Sequence, residues 1–228
     1  MKPYQKVPIS ECQEPLLPIP LHRFAVETPH PYEKLGAPYG GKSPYFLRQG
    51  VLASLIAAQQ LLQEQYPGWQ IQIFDAYRPI AVQQFMVEQA LAELAHTRGL
   101  VAATLSQPDR QVLLQEVYQF WALPSQDPAT PPPHSTGAAL DITLVDATGA
   151  IVTMGSPIDE ISPRSLPNHF AESSDLAGQT YHQHRQILRS VMESIGFRQH
   201  PNEWWHFSLG DQMWAWLSQQ PVARYGSC

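Results

Sequence analysis

Apolar and polar positions along the chain follow a helical period in some stretches and a strand period in others. Val51, Leu55, Leu61 and Leu62 recur near a helical period with alanines between them. That spacing predicts a helix over residues 51–65, ending before Pro67 and Gly68. Residues 69–74 largely alternate apolar and polar side chains, the period of a half-buried strand. Pro79 suits the first turn of a helix, and Val82, Phe85, Met86, Leu91 and Leu94 carry it to about His96. A further helix is expected over 109–121. Residues 138–145 read as a strand. The turn residues Asp146 to Gly149 then lead into a partner strand over 150–154, a hairpin by pattern. The cleanest helix spans 181–195. Ile187, Leu188, Val191, Met192 and Ile195 form its apolar stripe, and Gly196 is its stop signal. Short strands are expected at 22–26 and 204–208, and long loops at 29–44, 124–133 and 157–178. This order of elements predicts an α+β fold: one compact domain, with a small, mostly antiparallel sheet and flanking helices. Residues 1–45 are expected to form a proline-rich arm packed on or preceding the domain, and residues 46–228 the domain itself.

Composition narrows the class. The chain has 228 residues, 43% of them hydrophobic, enough for a sizeable core. Its 22 prolines are roughly twice the usual ~5%, which favours stiff, ordered loops. A net charge of -6 without any basic run makes nucleic acid and anionic membrane poor partners. No apolar stretch approaches the ~18 residues of a membrane span, and residues 1–20 lack the apolar core of a signal peptide. Cys12 and Cys228 lie near opposite ends without metal-type spacing and read as two reduced thiols of a cytoplasmic protein. Oligomeric state is not readable from the chain.

The chemistry resides in two separated motifs, His134-Ser-Thr-Gly-Ala-Ala-Leu-Asp141 and Glu203-Trp-Trp-His206. Together they hold two imidazoles, one ligand-type carboxylate and one spare carboxylate. That is the inventory of a hydrolytic zinc site with three protein ligands, an open position and a general base. Asp141 falls in the middle of an otherwise apolar strand, where a buried charge needs a partner or a metal. Gly137 permits the bend that returns His134 toward it. The bland alternative is a structural aspartate with a surface histidine. Residues three apart on a strand face opposite ways, so Glu203 must precede the strand if both it and His206 reach one site. His206 is then a ligand, and Glu203 takes the proton from water. Arg78, at the junction of a predicted strand and helix, could stabilise an oxyanion, pair structurally with Asp75, or do both. Tyr77 could line the pocket. His96, His169 and His200 have no partner at ligand spacing, His182 and His184 do not share a helix face, and Ser135 lacks a nucleophile elbow.

The residues His134, Gly137, Ala139 and Asp141, with Glu203, Trp205 and His206, resemble the motifs of the zinc D-Ala-D-Ala metallopeptidases. Asp75, Tyr77, Arg78 and Pro79 narrow the resemblance to the D-alanyl-D-alanine dipeptidase (VanX-type) branch, to which residues 154–159 and 189–197 are also similar. The resemblance spans about residues 50–210. It implies a Hedgehog/DD-peptidase-like domain around one Zn²⁺ held by His134, Asp141 and His206. It further implies Glu203 as base, Arg78 as the transition-state arginine, and Asp159 as the acceptor for the amino group of a small dipeptide. The sequence departs from that branch at Pro132, where the dipeptidases usually carry a serine lining the substrate site. Two alternatives remain: a D,D-carboxypeptidase acting on longer cell-wall peptides, and a non-catalytic zinc module that senses wall fragments.

Overall fold

A computed structural model describes residues 2–228. In chain order the strands are β1 Leu16–Pro18, β2 Ala25–Val26, β3 Phe46–Arg48, β4 Gln70–Asp75, β5 Ala139–Val145, β6 Arg198–Gln199 and β7 His206–Ser208. The helices are α1 Pro31–Lys34, α2 Gln49–Gln65, α3 Ile80–Thr97, α4 Gln107–Phe120, α5 Leu176–Ser194 and α6 Gln212–Leu217. The central sheet runs β2-β4-β5-β7-β6, with β2 parallel to β4 and every other pairing antiparallel. A separate two-stranded sheet joins β1 to β3. This is the α+β architecture expected from the hydrophobic pattern.

The sheet lies between two apolar clusters. On one face Ile71 and Ile73 of β4, and Leu140, Ile142 and Leu144 of β5, pack with α2 and α5. On the other, Phe74 packs against a cluster of Val82, Met86, Leu91, Leu113 and Val117 from α3 and α4. Strand β5 is therefore buried at all seven positions, Asp141 included. The register sets one row across three strands: Asp75 of β4 pairs with Asp141 of β5, which pairs with His206 of β7. An irregularity between Ile73 and Asp75 adjusts β4 at this row.

Four expectations are corrected. The partner strand at 150–154 shrinks to a single bridge between Val145 and Ile151. The carbonyls of Thr153 and Met154 lie instead against His184 Nδ1 and Arg185 Nε on α5. Helix α5 begins five residues early, at Leu176, because the Asp175 carboxylate accepts the Gly178 N–H as an N-cap. Strand β7 begins only at His206, since the Trp204 N–H donates to the Ser165 carbonyl. The loop expected at 29–44 also contains the short helix α1.

Candidate active site

The turn Pro133–Thr136 ends at Gly137, whose φ of +68° swings the chain into β5. A Cβ at Gly137 would carry a φ that L side chains rarely adopt and would lie 2.3 Å from Leu16 Cδ2, so this bend favours glycine. The turn is laced to the end of β4: the Arg78 N–H donates to the His134 carbonyl at 3.3 Å, and the Ser135 hydroxyl to the Arg78 carbonyl at 2.7 Å. His134 is thereby delivered to the Asp75–Asp141–His206 row.

The donor atoms converge. His206 Nδ1 lies 3.0 Å from Asp141 Oδ1 and 3.2 Å from His134 Nε2, which lies 3.3 Å from Asp141 Oδ2. Tetrahedral donors at ~2.0–2.2 Å from one ion stand roughly 3.3–3.5 Å apart, so this triad fits a single metal ion closely. The ring orientations agree. His134 Nδ1 donates to the Ala76 carbonyl at 2.7 Å, which leaves the Nε2 lone pair facing inward. Ser208 Oγ backs His206 Nε2 at 3.3 Å, and a proton there leaves the Nδ1 lone pair facing inward as well. Two lone pairs and a carboxylate at this spacing repel one another unless a cation sits between them. Burial lowers the basicity of His206, which favours the neutral ligand form. Burial opposes the charge of Asp141, yet the two imidazoles hold its carboxyl well below the usual range.

Around the triad, Glu203 sits in the turn ahead of β7, with Oε2 3.7 Å from His206 Nδ1 and Oε1 3.7 Å from His200 Nδ1. Burial pushes the Glu203 carboxyl well above the ordinary glutamate range, Asp141 adds to this, and Lys2 opposes it. Arg78 is buried. Its Nε and Nη2 donate to Asp75 Oδ2 at 3.0 and 2.8 Å, its Nη1 to Gln83, and its Nη2 also approaches Asp141 Oδ2 at 3.3 Å. Asp75 is held further by Tyr39, and by His30, whose Nε2 lies 3.2 Å from Oδ1. Asp159 is half-buried and accepts the Tyr32 hydroxyl at 2.7 Å. Burial, then Asp141, pushes its carboxyl up to about 7.

One cavity of about 500 Å³, counted to its mouth, is lined by His134, Asp141, His206, Glu203, Arg78 and Asp159 among others. Tyr77 is not among them; its hydroxyl donates to the Cys228 carbonyl at 3.3 Å. Three residues of the site, Tyr32, Trp121 and Lys2, are not singled out by the sequence, and a fourth, His200, is set aside there for want of a partner. Tyr32 bridges Arg78 and Asp159, His200 lies beside Glu203, Trp121 stacks over Arg78, and Lys2 lines the cavity. Tyr32 comes from an expected loop, where only the density of prolines and aromatics hinted at order.

A model of the D-ala-D-ala dipeptidase family matches residues 26–224. The chain is similar to a D-alanyl-D-alanine dipeptidase of Synechocystis sp., 49% identical over 238 residues that cover 99% of this chain and 96% of the relative. A D-alanyl-D-alanine dipeptidase of Enterococcus faecium is 34% identical over 161 residues, 70% of each chain. One from Escherichia coli is 32% identical over 152 residues, 67% of this chain and 61% of the relative. Convergent metal donors and a near full-length match agree: this chain is an enzyme that belongs to the D-ala-D-ala dipeptidase family of metallopeptidases.

Proposed function

We propose that this peptidase is a zinc-dependent dipeptidase that hydrolyses D-alanyl-D-alanine, or a close D,D-dipeptide, to free amino acids. The observation that carries the reading is the convergence of His134, Asp141 and His206 with the spare carboxylate of Glu203 beside them. Zinc held by these three residues supplies Lewis acidity, polarising a carbonyl and making water more acidic. Glu203 takes a proton from the attacking water and passes it to the leaving amine. Its position favours this shuttle, because its Oε2 lies 3.7 Å from His206 Nδ1, beside the metal donors. Arg78, fixed by Asp75 and Gln83, donates to the carbonyl oxygen as negative charge develops there. Asp159, oriented by the Tyr32 hydroxyl, accepts the substrate ammonium. A cytoplasmic setting goes with this reading, supported by two unpaired cysteines, Cys12 and Cys228.

A second reading, D,D-carboxypeptidase action on longer peptides, draws support from an open surface groove that shares Asp159 and Trp121 with the catalytic cavity. A chain extending beyond the cleaved pair could lie there. Product analysis of the zinc-loaded protein separates the two. Free D-alanine from D-Ala-D-Ala, with far slower cleavage of its N-acetyl derivative and of L-Ala-L-Ala, is the expected result. Glu203→Gln should keep zinc by metal analysis and lose roughly 10²–10⁴ in kcat. Comparable turnover of the N-acetylated dipeptide would favour the carboxypeptidase, and loss of zinc from Glu203→Gln would make that residue a ligand.

A further inference from the structure

A free dipeptide is a zwitterion, and Asp159 accounts for only its positive end. In a narrow cavity the C-terminal carboxylate also loses water and requires a cation or several donors. The cavity offers two cations, Arg78 and Lys2. Arg78 is already engaged by Asp75, Gln83, Tyr32 and Asp141, and its one remaining Nη1 N–H is assigned to the carbonyl oxygen. Lys2 is not. Its Nζ makes one hydrogen bond, to the Trp121 carbonyl at 3.3 Å, and among the described residues no carboxylate lies within ion-pair distance. An ammonium has three N–H groups, so donors remain for a ligand. We propose that Lys2 receives the C-terminal carboxylate of the dipeptide and makes the enzyme selective for a free C-terminus.

The layout of the cavity gives this assignment a direction. Asp159 bonds Tyr32, which bonds Arg78, on one side of the metal triad. Lys2 bonds the Trp121 carbonyl, two residues on from Gln119, whose carbonyl accepts Asn202 of the turn that carries His200 and Glu203. Under the dipeptidase reading, on which this inference rests, Glu203 hands its proton to the leaving amine. The C-terminal residue therefore lies past Glu203, on the Lys2 side, while the ammonium lies at Asp159. Pro133, which lines the same cavity, has no N–H to offer a carboxylate.

Lys2 is held in place. Its backbone N–H donates to Gln5 Oε1 at 2.8 Å, across the short turn Pro3–Lys6 that packs on α6. Gln212 of α6 donates to the Val7 carbonyl at 2.6 Å and to the Ala129 carbonyl at 3.0 Å, tying this segment to the domain. Tyr4 is buried beside it and lines the same cavity. The family match begins at residue 26, so this contact comes from a segment outside it.

The test compares D-Ala-D-Ala with its C-terminal amide on the wild type, Lys2→Met and Lys2→Arg. The wild type should prefer the acid. Lys2→Met should raise KM for the acid about ten- to a hundred-fold, the span of a charge-assisted hydrogen bond, and leave the amide unchanged. Lys2→Arg should keep the preference, and kcat should move little in either variant. An unchanged acid-to-amide ratio in Lys2→Met overturns the proposal. Calorimetry on Glu203→Gln and on Lys2→Met in that background reads binding without turnover. Tighter binding of acid than amide, lost with Lys2→Met, supports the assignment, and equal binding of the two overturns it. If the wild type cleaves no dipeptide, the dipeptidase reading fails, and the calorimetry still decides the role of Lys2.

Discussion

Asp159 holds a φ of +67°, a left-handed conformation that side chains other than glycine seldom adopt. Such strain costs on the order of 1–3 kcal/mol and persists where the surroundings impose it; here the Tyr32 hydroxyl grips the carboxylate. The raised pKa gives this residue a measurable signature. Asp159 can accept an ammonium only when ionised, so substrate binding should weaken as pH falls through its pKa. A bound dication pulls that pKa down, so the midpoint belongs between the ordinary ~4 and the metal-free value of about 7. Bound substrate keeps the carboxylate ionised. The limb should therefore appear in kcat/KM and not in kcat, and Asp159→Asn should remove it while raising KM above that pKa. A limb of equal size in kcat would assign it to Glu203 instead. Individual residues were legible where chemistry and pattern conflicted: Asp141 declared itself as a charge inside an apolar strand, and Glu203 as a second carboxylate near His206. His30, Tyr32 and His200 gave no such conflict. They lie in segments without periodicity, and only the folded chain brings them to Asp75, Asp159 and Glu203.

At the scale of elements, the site is a product of register. A one-residue slip of β5 against β4 or β7 would turn Asp141 to the opposite face, away from His206. The register is fixed by Leu140, Ile142 and Leu144, which fill the core on the other face. Strands and helices with a clear period were therefore readable, with the ends of β5 and α2 matched and their starts off by one and two residues. Elements ended by side-chain caps or by a competing hydrogen bond were not, as α5 and the lost hairpin strand illustrate. Gly137 tests how tightly the bend and the site are joined. Gly137→Ala meets both an unfavourable φ and the Leu16 side chain, whereas Gly149, with φ +83°, has open space around it. Gly149→Ala should cost about 1–2 kcal/mol from backbone strain alone. Gly137→Ala should cost more, and should also weaken metal binding by displacing His134. Denaturant melts and metal titration of both variants check this; equal losses with unchanged metal affinity would show that Leu16 yields and the bend survives.

At the scale of the whole molecule, the first 45 residues contribute to both cores. Strand β1 pairs with β3, and β2 adds an edge to the central sheet. Ile19 and Phe24 lie in the larger cluster, and Tyr32 and Tyr39 in the smaller one. A proline-rich sequence hides this role, because its pairing is irregular and its apolar residues follow neither period. Arg48 connects the arm to the catalytic turn. Buried, it donates to the Glu14 carbonyl at 2.6 Å, the Thr136 carbonyl at 2.9 Å and the Gly226 carbonyl at 3.2 Å, and pairs with Glu11 at 3.1 Å. Removing residues 2–45 would strip the arm's partners from a buried guanidinium that bonds Thr136, two residues after His134 in the same turn. It would also expose the cavities left by Tyr4, Ile19, Phe24, Tyr32 and Tyr39. At about 1.5–3 kcal/mol for each buried side chain, the loss is roughly 10 kcal/mol. That is comparable to the whole stability of a typical domain, ~5–15 kcal/mol. A chain of residues 46–228 should therefore lack a cooperative thermal transition and bind no metal tightly, as calorimetry and metal analysis would record. A cooperative melt near that of the full chain, with one metal retained, would instead make the arm an accessory to stability, and would leave its contacts to the site through Lys2, His30, Tyr32 and Tyr39 as the reason for the enzyme to carry it.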